Sequence, residues 1–139
     1  MIIDTTYLLP LVGISVDKDL FVMLEKSHST LNFDDTLVSE ISIFEIQAKC
    51  GELGIAHSIV IDAINEIKSN FDIVPFDENQ VVQISFDLRN KLPDYIDCVI
   101  VASAASRNKD LLTEDHRILA LKEHIATEYG ITVRQLNQI

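Results

Sequence analysis

Four carboxylates follow short apolar runs and stand where segments with helical spacing begin: Asp4, Glu45, Asp97 and Asp115. In a parallel α/β sheet the carboxyl ends of the strands lie along one edge, and ligands bind in the crevice at that edge. Four carboxylates in one crevice repel one another strongly unless a cation neutralises them. The pattern therefore predicts a site for a hard divalent metal ion and chemistry on phosphate groups.

The type of donor atom selects the metal. All four candidates offer oxygen, and no His or Cys stands at a supporting spacing, so Mg²⁺ or Mn²⁺ is favoured over zinc. One or two such ions can hold a phosphodiester, lower the pKa of a bound water and stabilise the leaving oxygen. Asp94, on the same helix face as Asp97, is a candidate outer ligand. Thr113 and Ser39 are candidate hydroxyl donors to a carboxylate or a phosphate. The sequence supports equally well the alternative that both are ordinary turn residues at strand ends.

Helix capping is the competing interpretation for each carboxylate taken singly. Asp4, Asp94 and Asp115 precede predicted helices, and Asp97 lies in the first turn of the helix that Asp94 precedes. Glu45 ends a Ser-x-x-Glu sequence, which is the form of a capping box. Burial argues for more than capping at two positions. Asp97 stands directly before a long apolar run, and Asp4 follows two isoleucines in what should be a central strand. An ionised carboxylate in such surroundings is costly unless it is paired or bound to a metal.

Short apolar runs alternate with segments of helical spacing, which predicts a three-layer α/β/α fold around a central, mostly parallel sheet. The predicted strands are residues 1–3, 36–39, 71–76, 110–113 and 130–136. The predicted helices are residues 5–11, 18–26, 42–53, 58–70, 78–92, 95–107 and 115–121. Asp17 is expected to cap the second helix, and Pro75 places the third strand at a sheet edge. The core candidates in two of these helices are Ile59, Ile61, Ile64, Ile67, Val81, Val82, Ile84 and Leu88.

The length of 139 residues is that of one domain, and residues 1–139 are expected to form it. No apolar run approaches the roughly 18 residues that a membrane span needs, and a charge at Asp4 interrupts any export signal. Cys50 and Cys98 match no zinc spacing. A cytoplasmic protein with two buried, reduced thiols and no membrane contact is therefore expected.

The net charge of −11 opposes binding to nucleic acid. The charge is uneven, because residues 1–88 contain 15 acidic and 4 basic residues, whereas the remaining chain contains 7 of each. Bound divalent cations would offset part of the local negative charge, and acidity elsewhere suits a basic protein partner. The candidates for RNA contacts are five of the seven basic residues of the second part, namely Arg89, Lys91, Arg107, Lys109 and Arg117.

Four sequence blocks, in this order, resemble those of the PIN-domain nucleases. Met-Ile-Ile-Asp4-Thr-Thr resembles the first strand of that family, and Val-Ser-Glu-Ile-Ser-Ile-Phe-Glu45 resembles the strand and helix of the second block. Asp97-Cys-Val-Ile-Val-Ala-Ser-Ala resembles the third block, an Asp before an alanine-rich helix. Leu-Leu-Thr113-Glu-Asp115 resembles the fourth, a strand ending in Thr-x-Asp. The match spans essentially the whole chain.

The resemblance implies an α/β/α domain and a Mg²⁺- or Mn²⁺-dependent ribonuclease. It assigns catalysis and metal binding to Asp4, Glu45, Asp97 and Asp115, with Thr113 in support. The chain is similar in size to the VapC-type toxins, which implies an RNA substrate, a homodimer and an antitoxin that inserts a basic side chain into the acidic site. The fourth block departs from many relatives because it continues with His116 and Arg117, so a fifth acidic ligand is not expected.

Three alternatives remain open from the sequence. The same site would serve a PIN nuclease in rRNA processing or RNA decay. A PIN-like module that binds a partner without cleaving RNA is compatible with the acidic first part of the chain. A haloacid-dehalogenase-like phosphatase would also begin with a strand ending in Asp, but its chemistry needs a second Asp where this chain has Thr6.

Histidines and aromatic residues give weaker signals. His28 and His57 are expected in surface loops, and His116 is the histidine with a route to the substrate because it follows the fourth carboxylate. Tyr7, on the first predicted helix, can either stack on a base or pack in the core.

Overall fold

A computed structural model of the protein describes residues 1–27 and 33–139, and His28 lies outside these ranges. Five parallel strands form one sheet with the order β3-β2-β1-β4-β5, which confirms the α/β/α prediction and makes the sheet fully parallel. The strands are β1 (Ile2–Ile3), β2 (Leu37–Ser39), β3 (Asp72–Val74), β4 (Leu111–Leu112) and β5 (Val133–Arg134). The third strand is an edge strand, as Pro75 predicted.

Helices cover both faces of this sheet. The α-helices are α1 (Leu20–Ser27), α2 (Glu40–Leu53), α3 (His57–Asn70), α4 (Asn79–Leu88), α5 (Tyr95–Ser106), α6 (His116–Ala120) and α7 (Lys122–Tyr129). Short 3₁₀ helices occupy Thr5–Val12, Phe33–Asp35 and Leu136–Gln138. Across the described ranges, no helix is long and apolar enough to cross a membrane.

Adjacent residues of the central strands β1 and β4 pack into two separate cores, because side chains alternate between the faces of a sheet. Ile2 and Leu111 pack with α4, α5, α6 and α7. Ile3 and Leu112 pack with the first 3₁₀ helix and with α1, α2 and α3. Two residues are sufficient for β1 and for β4, because each of these strands contributes one fully buried side chain to each core.

The helix α5 is buried on every side along its centre, as its uniform apolar sequence predicted. The residues from Cys98 to Ala104 are all buried between the sheet and the neighbouring helices. This packing holds the first turn of α5, which carries Asp97, in a fixed position relative to the sheet.

Several local predictions were wrong. Asp19, not Asp17, caps α1, because its Oδ1 accepts the N–H groups of Phe21 and Val22 at 2.9 and 3.2 Å. The helix α2 begins at Glu40, so Ser42 lies inside it and no capping box forms there. The helix α7 was not predicted at all, since its segment has only one buried side chain, Ile125, and hence no apolar stripe.

Core predictions in α3 and α4 failed where the spacing was not helical. Ile59 and Ile61 are 47% and 52% exposed, because residues two apart cannot share the buried face of one helix. The prediction of Ile67 is confirmed, because Ile67 is fully buried and forms the buried stripe of α3 together with Ala63. In α4, Val82 lies off the stripe formed by Val81, Ile84 and Leu88, and it is 39% exposed.

The chain order of the strands creates a crevice at the carboxyl edge of the sheet. From the central β1 the chain continues to β2 and β3 on one side, and then crosses to β4 and β5 on the other. The connections that leave β1 and β4 therefore diverge, and parallel α/β sheets bind ligands at such a switch point. Asp4 directly follows β1, and Thr113 directly follows β4.

Candidate active site

The structure brings the four carboxylates to one cavity of about 110 Å³ at this switch point. The lining residues, which we call the acidic pocket, are Asp4, Thr5, Thr6, Leu9, Glu45, Lys49, Asp97 and Asp115. Each carboxylate comes from a different element: the end of β1, the second turn of α2, the first turn of α5 and the residue before α6. The convergence of residues 111 positions apart is therefore a product of the sheet topology.

Asp4 is the most buried of the four, with 6% of its surface exposed. Its Oδ1 accepts the N–H of Thr5 at 2.7 Å and caps the first 3₁₀ helix, while its Oδ2 accepts the hydroxyl of Thr113 at 2.5 Å. Burial raises the pKa of Asp4 to about 6, against the two hydrogen bonds, and the charges of Glu45 and Asp115 add to the increase. Asp4 is thus held rigidly in a position where its charge is unfavourable.

Thr113 connects two of the carboxylates. Its fully buried hydroxyl donates to Asp4 and accepts the backbone N–H of Asp115 at 3.0 Å. Asp115 in turn caps α6, because its Oδ1 accepts the N–H groups of Arg117 and Ile118 at 2.9 and 3.1 Å. Capping and ligation are compatible, since the cap uses one carboxylate oxygen and sets the orientation of the other.

Asp97 and Glu45 have no such structural role. None of the hydrogen bonds within residues 1–27 and 33–139 reaches either carboxylate. Burial raises the pKa of Asp97 to about 7, and the charges of Asp115, Asp94, Asp4 and Glu45 contribute in that order. When burial and four like charges together raise the pKa of a carboxyl group, they identify a site of uncompensated negative charge.

The acidic pocket fits a divalent cation in donor type and in electrostatics. Its four carboxylates are oxygen donors of the kind that Mg²⁺ and Mn²⁺ prefer. In the part of the chain that the structure describes, however, no three His, Cys, Asp or Glu side chains are close enough to hold one ion. Asp97 and Glu45 accept no hydrogen bond from the described residues, so no protein donor competes with a cation for their oxygens.

Two of the supporting residues predicted from the sequence lie outside the acidic pocket. Asp94 caps α5 by accepting the N–H of Ile96 at 3.0 Å, and it acts on the site through its charge, which raises the pKa of Asp97. The hydroxyl of Ser39 lies 2.8 Å from that of Ser103, and both side chains are fully buried. Ser39 therefore joins the sheet to α5 and does not face a substrate.

The five basic residues proposed for RNA contacts do not line the acidic pocket. Arg107 forms a two-pronged ion pair with Glu78 at 2.7 and 2.8 Å, and lies about 15 Å along α5 from Asp97. Lys109 lies near the amino group of Met1, at the opposite edge of the sheet. The remaining three are exposed, namely Arg89 (whose guanidinium lies 4.8 Å from the Phe86 ring centre), Lys91 and Arg117.

Lys49, which the sequence analysis did not select, is the basic residue that does line the acidic pocket. It lies on α2 one turn after Glu45, so both side chains project from the same helix face. The spacing of four residues between a predicted ligand and a lysine was the available signal.

Glu114, between Thr113 and Asp115, was also missed. It accepts hydrogen bonds from the hydroxyl of Tyr7 at 2.9 Å and the ammonium of Lys18 at 2.7 Å. It also accepts from the backbone of Leu136 at 2.9 Å and the side chain of Gln135 at 3.1 Å. Burial opposes the ionisation of Glu114, but these four donors outweigh it and lower the pKa to about 2. Tyr7 is fully buried, so it packs in the core and cannot stack on a base.

A model of the family described as PIN domain matches residues 1–123. Comparison with curated proteins gives no match. Among solved structures, the chain is similar to one in the crystal structure of FitAcB from Neisseria gonorrhoeae, with a TM-score of 0.65, 18% sequence identity and 99% of each chain covered.

Two further solved structures have the same fold. One is VapBC-5 from Mycobacterium tuberculosis, a member of the VapBC family of toxin-antitoxin systems, with a TM-score of 0.60, 17% identity and 96% of each chain covered. The other is a toxin-antitoxin complex from Klebsiella pneumoniae, with a TM-score of 0.57, 16% identity and 94% of each chain covered. At these identities the likeness establishes the fold.

Proposed function

The chain belongs to the PIN-domain family, and from this premise we propose that it is a Mg²⁺- or Mn²⁺-dependent endoribonuclease, the toxin of a toxin–antitoxin pair. The observation that carries the proposal is the acidic pocket at the topological switch point, where burial and like charge raise the pKa of Asp4 and of Asp97. Such a pocket attracts a doubly charged cation and, through it, a phosphodiester.

The residues of the chain would divide the work of binding and orientation. Asp4, fixed by Thr5 and Thr113, and Asp115, fixed by its cap, present carboxylate oxygens from a rigid floor. Glu45 and Asp97 complete the ligand set from the two helix layers. A bound Mg²⁺ or Mn²⁺ would neutralise these charges, activate a water molecule and stabilise the leaving oxygen.

RNA cleavage in the presence and absence of metal tests this proposal. We expect cleavage of single-stranded RNA with Mg²⁺ or Mn²⁺ and none with excess chelator. Asp97→Asn should lower the rate at least about 100-fold, because metal-bound chemistry contributes several kcal/mol to the transition state. Asp62→Asn removes the same charge from an exposed position on α3 and is the matched control. Cleavage that persists in chelator would contradict the proposal.

An inhibitory partner is part of the proposal. The solved structures of similar fold include toxin-antitoxin complexes, and the acidity of residues 1–88 suits a basic polypeptide. An antitoxin that places a basic side chain in the acidic pocket would compete with the metal. We also propose that residues 1–139 act as one domain in a cytoplasmic homodimer, which a single unfolding transition and sedimentation equilibrium would test.

A PIN-like module that binds a partner without cleaving RNA is the second candidate, favoured by the absence of a preformed three-ligand cluster in residues 1–27 and 33–139. The two candidates differ in metal binding. A nuclease should melt at a higher temperature in millimolar Mn²⁺. If Mn²⁺ leaves the melting temperature unchanged while a co-purifying protein raises it, the binding module is the better assignment.

A further inference from the structure

A groove of about 510 Å³ adjoins the acidic pocket. The two share Thr6, Leu9 and Lys49, so the groove begins where the acidic pocket ends. We call it the flanking groove. Its volume is that of a site for a small ligand such as one nucleotide, and it is too small for a duplex.

Among the described residues, Lys49 is the positively charged side chain without an ion-pair partner in the wall that the flanking groove shares with the acidic pocket. Lys49 is exposed, and it forms no ion pair with any residue in the described ranges. The other lysine of the groove, Lys18, is 2.7 Å from Glu114 and is neutralised by it. A compact ammonium without a partner, beside a predicted phosphodiester site, is suited to bind a phosphate as a point charge.

The remaining walls are both apolar and polar, as a nucleoside requires. Leu9, Ile14 and Val16 supply apolar surface for a sugar or a base. Thr6, His116 and Gln135 supply hydroxyl, imidazole and amide groups. Apolar walls with a few convergent polar groups are typical of small-ligand sites.

The floor of the flanking groove is rigid because Glu114 anchors it. Glu114 bonds to Tyr7 below, to Lys18 on the loop before α1 and to Gln135 after β5. Its charge is therefore satisfied within the protein and does not repel a phosphate as a free carboxylate would. Asp17 also lines the groove, but it is exposed, so solvent screens its negative charge. Lys49 is the unneutralised positive charge that directs a strand.

We propose that the flanking groove holds the nucleotide next to the scissile phosphodiester of single-stranded RNA, and that Lys49 binds the phosphate of that nucleotide. The inference rests on the proposed nuclease function and names the path of its substrate. Because the chain is strongly acidic, one correctly placed ammonium has a large influence on which direction the strand takes from the acidic pocket.

Steady-state kinetics of Lys49→Ala, Lys49→Arg and the control Lys68→Ala test the assignment. Lys68 is an exposed lysine on α3, so both alanine variants lose one positive charge. For Lys49→Ala we expect KM to rise about tenfold with kcat within about twofold, the loss typical of one charge-assisted contact. Lys49→Arg should restore most of the loss. Melting temperatures of all variants should match that of the parent protein.

The position of the contact is tested by replacing one phosphate of the RNA with an uncharged methylphosphonate. Replacement of the phosphate next to the scissile bond should raise KM as much as Lys49→Ala does. The two changes together should cost no more than either alone, because they remove the same contact. The dependence of log KM on log salt should weaken by about 0.7 in Lys49→Ala. Additive losses, or equal losses in Lys68→Ala, would overturn the proposal.

Binding measured in excess chelator separates this inference from the proposed function. Fluorescence anisotropy of a short labelled RNA needs no cleavage, and we expect Lys49→Ala to weaken binding about tenfold relative to Lys68→Ala. If no cleavage occurs under any condition but this difference is found, the groove is supported and the nuclease is not. If cleavage occurs and Lys49→Ala changes neither KM nor binding, the nuclease is supported and the groove is wrong.

Discussion

The two edges of the sheet handle charge in opposite ways. At the amino edge, the amino group of Met1 donates to the backbone oxygen of Asp35 at 3.0 Å. Asp110, which precedes β4, accepts an N–H from Thr132 and forms an ion pair of 3.2 Å with Arg134. At the carboxyl edge, four carboxylates line one cavity with Lys49 as their one basic neighbour within the described residues.

The pKa values reflect this difference. Burial and Lys109 lower the pKa of the Met1 amino group, but Asp110 and Asp35 oppose them. Burial and like charges raise the pKa values of Asp4 and Asp97, and no cation in the described ranges contributes to lowering either pKa. Charges that are paired inside the fold serve the fold, whereas charges left unpaired need a partner from outside. We accordingly propose that the carboxyl edge is the functional edge.

The largest expected effect compares one aspartate from each edge. Asp4→Asn should reduce RNA cleavage at least about 100-fold, since a metal ligand is lost. Asp110→Asn should leave cleavage within about twofold and lower the free energy of unfolding by at most about 1 kcal/mol, the scale of a surface ion pair. Cleavage assays and thermal melts of both variants measure this. A large loss of activity in Asp110→Asn would remove the distinction between the edges.

Metal binding should stabilise the protein through the carboxyl edge alone. At a free Mn²⁺ concentration 100 times its dissociation constant, the free energy of unfolding should rise by about 2.7 kcal/mol. Glu45→Gln should abolish most of this gain, and Asp110→Asn should retain it. Differential scanning fluorimetry across a Mn²⁺ titration is the measurement. Equal gains in both variants would place the ion elsewhere.

Removal of the Thr113 hydroxyl tests whether this hydroxyl holds Asp4 and Asp115 in position in the acidic pocket. Thr113→Val leaves Oδ2 of Asp4 and the N–H of Asp115 without their partner, which should cost about 1–3 kcal/mol of stability. Cleavage should fall about tenfold because the two carboxylates lose their common support. Thr132→Val, an exposed threonine beside the amino edge, is the control for the loss of a hydroxyl. Parental activity in Thr113→Val would show that this support is dispensable.

The smallest expected effect is on stability as a function of pH without metal. An acid whose pKa is higher in the folded state binds more protons when folded, so stability falls as pH rises from its unfolded to its folded pKa. For Asp4 and Asp97 this window extends from about 4 to about 7. Asp97→Asn should reduce the fall by on the order of 1 kcal/mol, since solvent screens this half-buried group.

Urea denaturation at pH 5 and pH 8 in chelator measures this fall, and saturating Mn²⁺ should abolish it. The opposite slope is expected for Glu114, whose stabilising contribution is present above about pH 4.5 and is lost as pH falls toward about 2. Stability that increases between pH 5 and pH 8 in the absence of metal would contradict the assignment of uncompensated charge to the carboxyl edge.

Periodicity and topology account for what could be predicted from the sequence. The four acidic blocks led to the correct family, and the alternation of strands with helices led to the correct fold. In a parallel sheet all strands end at one edge, so residues that follow strands meet there whatever the details of packing. Asp4 and Asp115 meet there for this reason, whereas Glu45 and Asp97 reach the same cavity from the second turn of α2 and the first turn of α5. The roles of all four as metal ligands remain predictions.

Tertiary structure decided which side chains face that edge and which face one another. Ser39 is the last residue of β2, a position close to that of Asp4 directly after β1. The side chain of Ser39 nevertheless points into α5 and bonds to Ser103. Arg107 shares a helix with Asp97 but lies at its far end, whereas Lys49 reaches the acidic pocket from α2.

The sequence by itself thus determined the residue types at the carboxyl edge, because local periodicity fixes where strands end. Only the packing of α2, α5 and the loop anchored by Glu114 decided the direction of each side chain, because rotation about a helix axis depends on contacts between distant segments.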